Sequence, residues 1–165
     1  MNRYVWLALA GVAALTVGAS LALTAWLDLH PCHLCIFQRL LFMLLAGLGG
    51  VAALARSRGA TLGAGGLFVT TAFGGMAVAA YQSWLQWQPR GTITCASGPP
   101  GPIERLVEWL GQLQPELFLA TGLCEDKELT VLGLSLANLA FIAYAALGAF
   151  ALWLLIPASN RSKTP

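Results

Sequence analysis

The sequence predicts an all-α membrane protein, a bundle of four transmembrane helices that forms one domain over residues 1–165. Hydrophobic residues make up 58% of the chain and charged residues only 10%, whereas soluble domains carry about 25% charged residues. Four apolar runs each approach or exceed the ~20 residues that a helix needs to cross the hydrocarbon core. These observations exclude an ordinary soluble protein, and nothing in the sequence points to nucleic acid.

The four apolar runs are expected to be helices rather than strands. Only helices and closed barrels satisfy the backbone in lipid, and the runs lack the strict alternation of a barrel strand. We place the helices at about Tyr4–Leu23, Ile36–Ala55, Ala60–Trp84 and Val131–Ile156. The first run could also be a cleaved signal peptide, but its apolar stretch exceeds the ~7–15 residues usual there, so a retained helix is expected.

The charged residues indicate the orientation in the membrane. With four helices, both termini and the short turn Arg56–Gly59 share one side, while residues 25–35 and the long loop 85–130 share the other. The first side carries no acidic residue. Its basic residues are Arg3, Arg56, Arg58, Arg161 and Lys163. The other side carries all seven acidic residues. The positive-inside rule therefore predicts cytoplasmic termini, and it places the four cysteines in the oxidising periplasm of a bacterium.

The first cysteine pair, Cys32 and Cys35, opens the second helix. The positive end of a helix dipole favours a thiolate, and Pro31 suits a helix start because it has no N–H to leave unsatisfied. This arrangement predicts a redox pair. Two alternatives are a structural disulfide and a metal site that uses the His30–Cys35 cluster, because its histidines and cysteines are good ligands for a soft metal.

Arg39 lies four residues after Cys35, on the same face of the helix and about one turn inside the membrane. A charge at this depth is costly and indicates a functional site, although an arginine there can also snorkel back to the interface. A cation beside Cys35 would repel a metal ion. It would favour a thiolate and a ligand oxygen that becomes negative on reduction.

The second pair, Cys95 and Cys124, lies in the loop 85–130. A disulfide between them would close about thirty residues and could stabilise the fold by ~3 kcal/mol, which is one interpretation. The other is an exposed disulfide that exchanges with the thiols of a partner. Between the two cysteines, Ile103–Leu110 has helical periodicity and predicts a short amphipathic helix on the membrane surface, with Trp109 at the depth of the headgroups.

These motifs together resemble the DsbB family of disulfide-generating membrane proteins. The resemblance runs over most of the chain and is strongest in residues 31–39, 85–95 and 118–124, with residues 132–134 also fitting. Four cysteines in this order, on this topology, with an arginine four residues after the second cysteine, make the match specific.

The resemblance implies a thiol:quinone oxidoreductase of the inner membrane. Cys95 and Cys124 would form the loop disulfide that accepts electrons from a periplasmic thioredoxin-fold oxidase such as DsbA, with Cys95 forming the mixed disulfide. Cys32 and Cys35 would pass the electrons to ubiquinone or menaquinone from the membrane quinone pool. Arg39 would polarise the quinone and stabilise its reduced oxygen.

One position departs from the family pattern. Many members carry a histidine near the outer end of the third helix, where this chain has Gln82, with Gln86 one turn later. Both glutamines are expected to contact the quinone, since an amide can donate a hydrogen bond although it cannot become charged. Two other classes remain as alternatives: a structural protein with two inert disulfides, and an enzyme similar to vitamin K epoxide reductase.

Overall fold

The computed structural model describes residues 3–89, 100–124, 129–131 and 133–156. In these ranges the order of elements is α1 (Arg3–Trp26), α2 (His33–Leu54), α3 (Arg58–Leu85), α4 (Pro102–Leu113), α5 (Pro115–Phe118), β1 (Thr130–Val131), β2 (Leu134–Ser135) and α6 (Leu136–Leu155). Four of the helices, α1, α2, α3 and α6, are long and apolar enough to cross a membrane. The predicted all-α membrane bundle is therefore confirmed.

Three of the long helices begin at a residue whose side chain accepts a backbone amide. Cys32 Sγ accepts from the amide of Cys35, and Ser57 Oγ accepts from that of Ala60 at 3.2 Å. Such caps satisfy one of the amides that a first helical turn leaves without an intrahelical partner. The cap at Cys32 starts α2 at His33, a few residues before the predicted start at Ile36.

A hairpin of two-residue strands, which the sequence does not predict, precedes the last helix. β1 and β2 pair antiparallel, and Gly133 in the turn has φ of +82°, a conformation that glycine adopts without steric cost. The hairpin moves the start of the helix from the predicted Val131 to Leu136. Ser135 then caps α6, because its Oγ accepts a hydrogen bond from the amide of Asn138 at 3.4 Å.

The core of the bundle lies where α1 packs on α2, α2 on α3 and α3 on α6. The ring of Phe42 stacks on that of Tyr144, with centroids 4.1 Å apart and planes inclined by 13°. Gly75 lets α3 approach α6 closely, because a Cβ at this position would collide with the Tyr144 ring. This contact joins α2, α3 and α6 about two helical turns after Cys35.

The helices α4 and α5 cover the N-terminal half of α2. Val107 of α4 and Phe118 of α5 pack on Ile36, which is fully buried. The predicted amphipathic helix is therefore present, as α4, and part of its apolar face packs on protein. Trp109 and Leu113 on α4 are more than half exposed, and their placement at the membrane surface stays a prediction.

Candidate functional site

Cys32 and Cys35 lie side by side at the start of α2. Their sulfurs are 3.0 Å apart, with the Cys32 thiol donating to Cys35, and Cys32 Sγ also accepts the Cys35 amide at 3.3 Å. A disulfide has a sulfur–sulfur distance of about 2.0 Å, so the two sulfurs are about 1 Å from bonding distance. A small movement of either side chain would allow the bond to form.

The loop segment that precedes Cys124 is docked on the chain just before α2. The amides of Thr121 and Gly122 both donate to the carbonyl of Pro31, at 3.0 and 3.2 Å. A Cβ at Gly122 would collide with the carbonyl of His30, so the segment can lie this close only because residue 122 is glycine. The sequence around Cys124 therefore serves to dock the loop.

This docking brings Cys124 onto Cys32. Both residues are 2% exposed, and their side chains are hydrogen-bonded to each other. That hydrogen bond, followed by the one to Cys35 and by burial, raises the pKa of the Cys32 thiol far above its ordinary value. Cys32 therefore keeps its proton in the reduced protein. Cys95 lies outside the described residues, so its pairing with Cys124 stays a prediction.

Arg39 is buried rather than turned to the interface, with 5% of its surface exposed. Its Nη1 donates to the carbonyl of Leu117 at 2.9 Å, and its Nη2 donates to Ser20 Oγ and Thr24 Oγ1, each at 3.1 Å. In the described part of the chain, no group accepts a hydrogen bond from the buried Nε. Since buried charged donors normally have partners, Nε is available to an oxygen of a ligand.

The hydroxyls that hold Arg39 were not predicted as site residues. Ser20 and Thr24 lie one turn apart on α1 and so share a face of that helix. With Thr16 they form a row of hydroxyls at intervals of four residues in a mainly apolar helix, and this row is the sign of a polar partner that the sequence carries.

Gln82 lies against both sulfurs of the first pair. It is 2% exposed, and its Nε2 donates to Cys35 Sγ at 3.0 Å and to Cys32 Sγ at 3.4 Å. Its Oε1 accepts a hydrogen bond from Gln38 Nε2 at 2.7 Å. Gln38 was not predicted as a site residue, although a glutamine one turn after Cys35 inside a membrane helix is itself unusual.

A cavity of about 370 Å³ adjoins these groups, between the C-terminal half of α1 and the N-terminal halves of α2 and α6. Cys35, Arg39, Gln82 and Gln86 line its polar part. The rest of its wall is mainly apolar and includes Leu23, Phe42 and Ala140. Sites for small organic ligands combine a mostly apolar wall with a few placed polar groups. The cavity therefore suits an apolar ligand that carries a polar oxygen.

The metal-site alternative is not supported. Within the described ranges, no group of three or more histidine, cysteine, aspartate or glutamate side chains has an arrangement that could hold a metal ion. His33 instead lies beside Glu108 of α4, with Nε2 and Oε1 3.9 Å apart.

Comparison with known proteins supports one family. The family described as "Disulfide bond formation protein DsbB" matches residues 2–154. A protein of Dechloromonas aromatica (strain RCB), named Disulfide bond formation protein B, is 41% identical over 157 residues, which cover 92% of this chain and 91% of the relative. A protein of the same name from Azoarcus sp. (strain BH72) is 36% identical over 155 residues, which cover 93% and 92%.

Proposed function

The chain belongs to the DsbB family of disulfide-forming membrane proteins, and from this premise we propose that it is a thiol:quinone oxidoreductase. In this proposal it oxidises the dithiol of a periplasmic DsbA-like protein of the thioredoxin fold and passes the electrons to the quinone pool. The observation that carries the proposal is the position of the Cys32 and Cys35 sulfurs at the wall of an apolar cavity that also contains Arg39.

The cavity fits a quinone in its size and in its polar groups. The apolar wall would hold the ring and the start of the prenyl chain, and Arg39 would donate from Nε to a ring oxygen. Cys35 and Arg39 lie one turn apart on α2 and line the same cavity, so the cation would favour both the Cys35 thiolate and the negative charge that grows on that oxygen. A bound quinone would accept two electrons and two protons and become a quinol; ubiquinone and menaquinone both meet these requirements.

The loop cysteines would receive the electrons first. A thiolate of the partner would attack Cys95 in a Cys95–Cys124 disulfide and release Cys124 as a thiolate. The partner's second thiol would then attack the mixed disulfide, which leaves the partner with a disulfide and Cys95 as a thiol. This role for Cys95 rests on the family, because the residue lies outside the described ranges.

The contact between Cys124 and Cys32 supports the next exchange. Cys124 would attack Cys32 in the Cys32–Cys35 disulfide and release Cys35 as a thiolate beside the cavity. Cys95 would then attack Cys124, which restores the loop disulfide and releases Cys32. The first pair now holds two electrons as a dithiol, and it returns to a disulfide when these electrons and two protons leave for the quinone.

The proposed orientation places both termini in the cytoplasm and the cysteines in the periplasm of a bacterial inner membrane. The segregation of charges in the sequence supports it: basic residues alone lie on one side, and all seven acidic residues lie on the other. The exchange partner and the quinone would then approach by different routes, from the periplasm and from the lipid.

Quinone reduction tests the proposal directly. Purified protein, a reduced DsbA-like partner and a short-chain ubiquinone or menaquinone are mixed, and the absorbance of the quinone is followed in the ultraviolet. We expect reduction that Cys35→Ser abolishes and Arg39→Ala weakens, while Arg58→Ala, a change at an exposed arginine, leaves it unaltered. Failure of the folded wild-type protein to reduce either quinone would refute the proposal.

A further inference from the structure

The buried amide of Gln82 is oriented by a second buried amide. An amide group carries its acceptor oxygen on one side and its two donor hydrogens on the other. Because Gln82 Oε1 accepts from Gln38 Nε2 at 2.7 Å, its Nε2 faces the two sulfurs. With Gln38 oriented as observed, the opposite orientation of Gln82 would place two NH₂ groups against each other, so the Gln38 bond favours the observed one.

The backbone of Gln38 is tied to another helix. Its backbone carbonyl accepts a hydrogen bond from the Tyr144 hydroxyl at 2.7 Å, which joins this turn of α2 to α6. Gln38 is 5% exposed. The chain of contacts from Tyr144 through Gln38 and Gln82 therefore ends at the sulfur of Cys35.

The Gln82 amide does not lie equally close to the sulfurs of Cys32 and Cys35. Cys35 Sγ accepts from the Cys32 thiol at 3.0 Å and from Gln82 Nε2 at 3.0 Å. Cys32 lies at the longer distance of 3.4 Å from the same amide. Cys32 Sγ also accepts the Cys35 backbone amide at 3.3 Å, but the Gln82 amide lies nearer to Cys35. Hydrogen bonds donated to the charged form of a group favour that form, so Gln82 stabilises negative charge on Cys35 more than on Cys32.

From this geometry we infer that Gln82 is a catalytic hydrogen-bond donor to the Cys35 thiolate and that Gln38 is the residue that positions it. This inference deepens the proposed function, because it concerns the pair that would reduce the quinone. It gives Gln82 a role toward sulfur, distinct from the quinone contact that the family resemblance implies. A neutral amide performs this role without exchanging a proton.

The test uses reduced protein in detergent with neither quinone nor partner. Each cysteine's rate of reaction with iodoacetamide at pH 7 is measured by quenching and peptide mapping. Gln82→Met removes both donors and keeps the length of the side chain, Gln82→Glu replaces them with a carboxylate, and Gln38→Met removes only the orienting bond. Gln112→Met, at an exposed position on α4, is the matched control.

We expect Gln82→Met to slow the alkylation of Cys35 by about three- to tenfold, because one charge-assisted hydrogen bond is lost and the higher nucleophilicity of the remaining thiolate compensates in part. Gln82→Glu should slow it further, Gln38→Met should have a smaller effect in the same direction, and Gln112→Met should have none. If Gln82→Met does not fold, as judged by circular dichroism, Gln38→Met and Gln82→Glu decide the question.

A second readout is the equilibrium with glutathione, in which the Cys32–Cys35 disulfide and two glutathione thiols exchange to give the dithiol and one glutathione disulfide. Loss of a donor destabilises the reduced pair, so at a fixed glutathione ratio the oxidised fraction should rise in Gln82→Met. Unchanged alkylation and an unchanged equilibrium in folded Gln82 variants would overturn the inference. Because neither measurement contains quinone, their outcome is independent of whether the protein reduces one.

Discussion

Gly122→Ala should uncouple the two cysteine pairs. The added Cβ would collide with the His30 carbonyl, and the segment must move away from α2 to relieve the contact. That movement breaks the two hydrogen bonds that the amides of Thr121 and Gly122 donate to Pro31. It therefore also separates Cys124 from Cys32, whose contact depends on the docked segment.

The size of the effect follows from those two hydrogen bonds. Each contributes about 0.5–1.5 kcal/mol in net terms, so their loss weakens docking by about 1–3 kcal/mol. The equilibrium constant for docking then falls by about 5- to 150-fold. Exchange between Cys124 and Cys32 requires the docked form, and its rate should fall by up to the same factor, while the loop disulfide should still react with the partner at the wild-type rate.

The assay is a single turnover without quinone. Oxidised protein is mixed with a reduced DsbA-like partner and quenched with acid, and the new thiols are alkylated and assigned by peptide mapping. In Gly122→Ala the thiols of the loop should appear normally and those of Cys32 and Cys35 late. Gly63→Ala is the matched control, since a Cβ there meets no atom within 4 Å. Appearance of the Cys32 and Cys35 thiols at the wild-type rate in folded Gly122→Ala would refute the reasoning.

Two further predictions concern the groups around the first pair. Ser20→Ala combined with Thr24→Ala removes both acceptors of Arg39 Nη2, and we expect a lower melting temperature and a several-fold higher KM for quinone than in either single variant; a double variant that matches wild type would contradict the anchoring role. Because the hydrogen bonds with Cys124 and Cys35, followed by burial, raise the pKa of Cys32 above its ordinary 9.0, the folded protein holds this proton more tightly than the unfolded chain. The reduced protein should therefore lose up to ~1.4 kcal/mol of stability per pH unit above about pH 9. Thermal melts at several alkaline pH values should show a loss that is smaller in Cys32→Ala, and equal losses would oppose the assignment.

The bundle was largely predictable because its determinants are local. Each membrane helix is a continuous apolar run whose length alone indicates a span, and all four runs recur as helices. The start of α6 was not predictable in the same way. The apolar run continues through Val131–Ser135, and the hairpin there depends on pairing across Gly133, which hydropathy does not record.

The candidate site was also predictable only where it depends on local sequence. The adjacency of Cys32, Cys35 and Arg39 follows from helical spacing, so the sequence is sufficient to predict it. The burial of Arg39 and its bonds to α1 depend on how two helices meet. The contact of Gln82 with the sulfurs requires the register between α2 and α3, and a single sequence does not contain that register.

The three acceptors of Arg39 are synthesised at different times. Ser20 and Thr24 precede Arg39 in the chain, whereas Leu117 is added much later. An arginine that enters lipid alone costs about 2.5–3.5 kcal/mol at the centre of an inserting helix. Because α1 already presents two hydroxyls when α2 is made, insertion of α1 and α2 as a hairpin shields the charge before the rest of the protein exists. The hydroxyls on α1 thus bear on biogenesis, and their loss should lower the yield of membrane-inserted protein even when the mature fold tolerates it.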